Sequence, residues 1–203
     1  TAGVSDRVTT WADQSGNARD CSQGTPGAQP AFLASWKNGK PGVSFDATDD
    51  ILTGAGSPVA GTNPATIMAV GNIDLTTDHL DQWVALSPAK FLTDPFSGQR
   101  YVATDGSNSP TVGSFNGKTG NVYLLWGSTF AGGGGALAFR INGTSIAASV
   151  DLTNIPTGGF QISGQSSSFF AKTIGEVLVW NRTLSSAEIA QVEAYFISFW
   201  GSF

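Results

Sequence analysis

The residues that could carry chemistry in this chain are few. Glu176, Glu188 and Glu193 are its only glutamates. Acid–base work on a glycosidic bond needs two facing carboxyl groups, about 5–5.5 Å apart for retention and about 6.5–9.5 Å for inversion. Glu188 and Glu193 fall within a helical pattern. Glu176 stands alone on a strand, with Ile174, Leu178 and Trp180 as same-face neighbours, and reads as a half-buried carboxylate hydrogen-bonded to a loop. His79, in Asp78-His79-Leu80-Asp81, reads as a polar turn, and no Gly-x-Ser-x-Gly elbow presents a nucleophile. One Cys and one His exclude a Cys/His zinc cluster, and Cys21 has no internal disulfide partner. Gly132 to Gly135 are followed by neither Lys-Ser/Thr nor a helix, so they form a flexible crossover, not a phosphate loop. No catalytic residue is assigned.

Aromatic side chains are the better-supplied resource: six Trp, three Tyr and thirteen Phe. Their faces stack on sugar C–H surfaces and bury area at low entropic cost. Trp11, Trp126, Trp180 and Trp200 lie in strand or helix patterns and are expected in the core. Trp36, Phe96 and Tyr101 are the candidates for an exposed ligand-binding platform. Phe96 and Tyr101 lie between about residues 88 and 120, where Ser, Pro, Gly, Asn and Asp are dense. That stretch reads as exposed loops joined by short strands, the usual place for recognition on a β-scaffold. Asn142-Gly143-Thr144 and Asn181-Arg182-Thr183 fit the glycosylation sequon.

The elements that must position these residues are mostly strands. Val43–Phe45, Thr66–Val70, Trp83–Leu86, Val122–Trp126, Leu137–Ile141, Phe160–Ile162 and Ile174–Trp180 alternate or run apolar, with Gly, Asn, Asp and Pro between them. Asn142-Gly143 between two such runs signals a type I′ hairpin. One helix is expected: Ser185 to Glu188 form a capping box, Ile189, Val192, Phe196 and Phe199 make an apolar face, and Gly201 ends it.

Composition agrees. Gly is 26 of 203 residues, nearly twice the ordinary ~7%, and charged residues are 12% against the usual ~25%. With 40% hydrophobic residues the chain is not disordered. Three glutamates in the whole sequence argue against a helical bundle, so the fold class is all-β. Net charge is −5 and the ten basic residues are scattered, which excludes nucleic acid as a partner. No apolar run approaches the roughly 20 residues of a membrane span. A start at Thr1 reads as a fragment or a processed product.

Three segments carry a resemblance. Val8–Asp20, with Trp11-Ala12-Asp13-Gln14-Ser15-Gly16-Asn17, is the first. Asn38–Leu52, with Val43-Ser44-Phe45-Asp46-Ala47-Thr48-Asp49-Asp50, is the second. Ile174–Ser185, running into the capped helix, is the third. Together they resemble the laminin-G-like branch of the concanavalin A-like lectin/glucanase superfamily, especially modules of bacterial surface and phage structural proteins. The resemblance implies a two-sheet antiparallel jelly-roll sandwich with one C-terminal helix, forming a single domain over residues 1–203. Family members usually carry a strand before the Trp-Asp-Gln-Ser-Gly-Asn segment, so a first strand is expected to be missing before Thr1 or supplied from elsewhere.

The family also brings the loops holding Asp13, Asn17, Asp46, Asp49 and Asp50 near one another. Hard cations want several such oxygens, so the resemblance implies a possible Ca2+ on Asp13, Asn17, Asp46 and Asp49. The same residue types serve equally as Asx-turns, and both readings stand. Glucanases of the superfamily place two Glu and one Asp at alternating positions of one strand, a pattern not present here. The expectation is therefore a chain that is not an enzyme: a lectin-like attachment or structural domain of a virion or cell-surface protein, extracellular or on the virion. Its expected partners are glycans or neighbouring subunits, with no membrane. The alternative is a carbohydrate-active enzyme on the same fold using Asp residues.

Overall fold

A computed structural model describes residues 6–59, 64–73, 81–86, 89–94, 100–104, 111–114, 120–128, 135–146, 151–152, 159–164 and 172–203. The strands are β1 (Thr10–Trp11), β2 (Cys21–Ser22), β3 (Ala31–Lys37), β4 (Lys40–Ser44) and β5 (Ile51–Gly54). They continue with β6 (Ala65–Ile73), β7 (Asp81–Leu86), β8 (Ala89–Asp94), β9 (Arg100–Thr104) and β10 (Thr111–Ser114). Then follow β11 (Gly120–Ser128), β12 (Gly135–Ile141), β13 (Thr144–Ile146), β14 (Asp151–Leu152), β15 (Phe160–Ser163) and β16 (Thr173–Trp180). The helix α1 spans Ser186–Trp200.

Two antiparallel sheets result. One runs β1-β2-β5-β15-β7-β8-β9-β10 and the other β13-β12-β11-β6-β16-β4-β3, with β14 beside β12. Leu52, Trp83, Val84, Leu86, Phe160 and Ile162 from the first sheet meet Val43, Ile67, Ala69, Phe139, Ile141 and Ile174 from the second in one core. The two-sheet sandwich expected from the sequence is the observed architecture.

Strand β6 reads as a nearly continuous apolar run because both its faces are covered. Ile67 and Ala69 enter the core between the sheets, while Met68 and Val70 meet Phe196 and Trp200 of α1. The helix begins as expected: the Ser185 hydroxyl accepts from the Glu188 N–H while the Glu188 carboxylate accepts from the Ser185 N–H. It ends at Gly201 with φ of 80°. The apolar face is rotated from expectation, since Trp200 is buried and Phe199 is 37% exposed. The Asn142-Gly143 turn has φ of 45° and 76°, both positive as a type I′ turn requires, and joins β12 to β13 with Ile141 opposite Thr144.

Short strands are found in the stretch from 88 to 120, and the segments between them lie outside the described residues. Residues 89–94, 100–104 and 111–114 are successive strands of the first sheet, paired β7–β8–β9–β10.

Candidate functional site

The segment from Asp6 to Trp11 passes from one sheet to the other. At its start the Phe32 N–H donates to the Asp6 carbonyl at 2.7 Å and the Val8 N–H to the Pro30 carbonyl at 2.8 Å, so Arg7 bridges Ala31 on the free edge of β3. Four residues later Thr10 and Trp11 pair with Ser22 and Cys21 in the other sheet. This crossing leaves a cleft of about 440 Å³ between the N-terminal segment, β3 and β4. Trp11 and Phe32 line it from the two sheets, together with Val8, Pro41 and Val43. Val8 and Val43 are buried and mark its inner end, whereas Phe32 is 41% exposed. The exposed Asp6, Thr9, Thr10 and Gln14 supply polar groups at its mouth. Apolar walls with a few polar groups are the composition that small-molecule sites usually have. The sequence signal for it was faint, because Trp11 reads as core and Phe32 as one apolar residue among many.

Arg7 also lines this cleft and connects it to an acidic loop. Its Nη1 lies 3.7 Å from Asp50 Oδ1. Asp50 is 1% exposed; its Oδ2 accepts from the Asp46 N–H at 3.0 Å, and its Oδ1 has no hydrogen-bond partner. Burial pushes the Asp50 carboxyl up to about 6, reinforced by the neighbouring Asp46 charge. The carboxylates of Asp46, Asp49 and Asp50 come within 4.8 Å of one another. Three carboxylates, one holding an orphaned buried oxygen, are a donor set that fits a hard divalent cation.

Asp13 and Asn17 are placed otherwise. The Asp13 carboxylate accepts from the Ser15 N–H and hydroxyl at 2.8 and 2.9 Å and from the Arg19 N–H at 3.0 Å; these bonds, the Ser15 N–H first, hold its pKa below the ordinary value. The Asn17 amide donates to Ser15 Oγ at 2.8 Å. Both residues build their own turn, and Asp13 is not in the three-carboxylate group among the described residues.

Trp36 is half-buried. Its indole N–H donates to Asn72 Oδ1 at 2.9 Å and its ring meets Trp200 at 5.5 Å, so it is engaged in holding the helix. Tyr101 lies on β9 opposite Thr93, and Phe96 lies outside the described residues. Glu176 faces the helix instead of a loop: the Tyr195 hydroxyl donates to it at 3.1 Å and the Trp200 indole N–H at 2.8 Å.

No family model matches the chain, and no curated protein matches it. Solved structures do. Domain 4 of a GH43 extracellular arabinanase from Geobacillus stearothermophilus, in complex with arabinotriose, superposes with a TM-score of 0.60 at 16% identity, over 85% of this chain and 82% of that one. A Trypanosoma rangeli sialidase in complex with 2,3-difluorosialic acid gives 0.63 at 16% over 98% of this chain. An arabinofuranosidase complexed with arabinofuranosyl-alpha-1,2-xylobiose gives 0.66 at 15% over 95%. This chain spans 32% of the sialidase and 51% of the arabinofuranosidase. What is shared at these identities is the fold. The proteins that carry it are mainly glycoside hydrolases, and this overturns the expectation that the chain is not an enzyme.

Proposed function

We propose that the chain is a glycan-engaging β-sandwich of an extracellular carbohydrate-active protein, holding a short stretch of glycan in the cleft beneath residues 6–14. The observation that carries this reading is the pairing of Trp11 and Phe32 across one cleft, with Asp6 and Gln14 at its mouth. Aromatic faces take the C–H side of a sugar ring, and exposed carboxylate and amide groups take its hydroxyls. The shared fold supports it, since its carriers act on or hold glycans by name. Attachment of a virion or cell-surface protein, alone or with neighbouring subunits, is the finer form of the same reading.

Calorimetric titration with arabinotriose, xylotriose and sialyllactose tests it. Micromolar-to-millimolar binding of at least one sugar, lost in Trp11→Ala and Phe32→Ala with the fold intact by circular dichroism, is expected. Binding of none, or binding unchanged in both variants, removes the cleft from consideration.

A second reading gives the chain its own bond-breaking carboxylates. Asp50 favours it: a buried carboxyl at about 6 is suited to donate a proton near neutral pH, and Arg7 links it to the cleft. Release of reducing ends from these sugars, abolished in Asp50→Asn, is the expected result; no release refutes this second reading alone. In place of that role, we propose that Asp46, Asp49 and Asp50 hold a Ca2+ ion, which would keep Asp50 ionised and supply a counter-charge to its orphaned oxygen.

A further inference from the structure

We infer that the glycan taken by this cleft is an acylated one, with an acetyl group seated at the inner end. This rests on the proposed glycan-binding role of the cleft and adds the class of sugar. The polar residues that line the cleft, Asp6, Arg7, Thr9, Thr10 and Gln14, are all exposed, and the Arg7 guanidinium is engaged by the Gln29 carbonyl and Asp50. Its inner end is Val8 and Val43, which are 8% and 6% exposed, with Pro41 beside them. The backbone there is covered on its other side: a Cβ at Gly42 would run into Thr173 and Trp36, and one at Gly175 into Trp200 and Trp36, none of which lines the cleft. Two of the amide hydrogens beside it are committed as well: the Val8 N–H is bonded to the Pro30 carbonyl and the Phe32 N–H to the Asp6 carbonyl.

An unsubstituted sugar presents hydroxyl groups on every edge. Pressed against Val8, Pro41 and Val43, a hydroxyl would lose its water and gain no partner, a cost that a buried polar group always carries. An acetyl methyl loses nothing there and gains apolar contact. The sugar ring then lies between Trp11 and Phe32, and its remaining hydroxyls reach Asp6 and Gln14. Substituent and ring are thus sorted by the burial gradient of the cleft.

Two matched pairs of ligands test this by calorimetry on the unmodified chain: triacetylchitotriose against cellotriose, which differ only at C2, and O-acetylated xylotriose against the same sample after saponification. Binding at least tenfold tighter for the acetylated member of one pair is expected. That preference should shrink in Val8→Thr, which places a hydroxyl at the inner end with little change of volume. Equal or weaker binding of the acetylated member in both pairs overturns the inference while leaving the glycan-binding role standing. Binding of no sugar in either pair, nor of arabinotriose, overturns both.

Discussion

Trp36 and Trp200 meet with ring centroids 5.5 Å apart and planes at 59°, directly over the backbone of Gly175. A Cβ at Gly175 would lie 2.5 Å from Trp200 Cη2 and 2.6 Å from Trp36 Cζ3, so the missing side chain is what lets both indoles reach the sheet. Gly175→Ala is expected to destabilise the fold by roughly 1–3 kcal/mol through overpacking, a fall of several degrees in melting temperature. Gly24→Ala, where nothing lies within 4 Å of the added carbon, should change stability by less than about 0.5 kcal/mol. Thermal melts of the two variants side by side check this, and equal melting temperatures would remove the steric account.

Asp50 sets an opposite pH dependence to most carboxylates. Its folded value is raised from 3.8 to about 6, so the unfolded chain gives up this proton more readily. The contribution to stability is full below about pH 4, declines as pH rises toward 6, and is gone above it. The loss is at most about 3 kcal/mol, from a shift of roughly two units. Asp50→Asn keeps an oxygen for the Asp46 N–H and should be more stable than the unmodified chain at pH 7.5, but not at pH 4. Calcium should raise the melting temperature of the unmodified chain at pH 7.5 and leave the variant unmoved. A variant that is less stable at both pH values, with no response to calcium in either protein, would contradict the account of the acidic loop.

Local patterns in the sequence were reliable where one short segment decides the structure. Ser185 with Glu188 capped a helix, and Asn142-Gly143 closed a hairpin, because the deciding bonds span three residues or fewer. Trp36 shows the limit. Simple alternation puts it on the same face as Phe32, but an irregularity between Leu33 and Lys37 in the pairing with β4 changes that parity and sends Trp36 under the helix. Helical spacing allowed either Phe199 or Trp200 to be buried, and the sheet beneath chose Trp200. The cleft was illegible for a different reason. Trp11 and Phe32 are brought together by a crossing between sheets, and nothing in the residues from 6 to 11 announces where the crossing lands.

Glu188 governs the acid side of helix stability. The Arg182 guanidinium, at 2.7 and 3.0 Å, together with the Ser185 N–H and hydroxyl holds its carboxyl down at about 2. With the folded value depressed below the ordinary 4.5, its contribution is complete above pH 4.5 and is lost as pH falls toward 2. Glu188→Gln should therefore flatten the fall in melting temperature between pH 4.5 and 2. Arg182→Gln brings the folded value back toward 4.5 and should shrink the fall and end it at a higher pH. An acid limb identical in all three proteins would show that this cap is not coupled to folding.

Arg140 fastens the middle of the helix to the β12–β13 hairpin. Its Nε donates to Glu193 Oε1 at 2.8 Å, and its Nη2 donates to Glu193 Oε2 at 3.2 Å and to the Gly143 carbonyl at 2.6 Å. Glu193 is a buried carboxylate at the centre of α1, and a buried charge left without its partner costs more than the pair contributes when intact. Arg140→Leu is accordingly expected to lose roughly 2–3 kcal/mol. The double variant Arg140→Leu, Glu193→Leu removes the stranded charge and should recover much of that loss. A double-mutant cycle in urea measures both. If the double variant is no more stable than Arg140→Leu alone, the hairpin contact to Gly143 and not the ion pair is what ties α1 to the sheet.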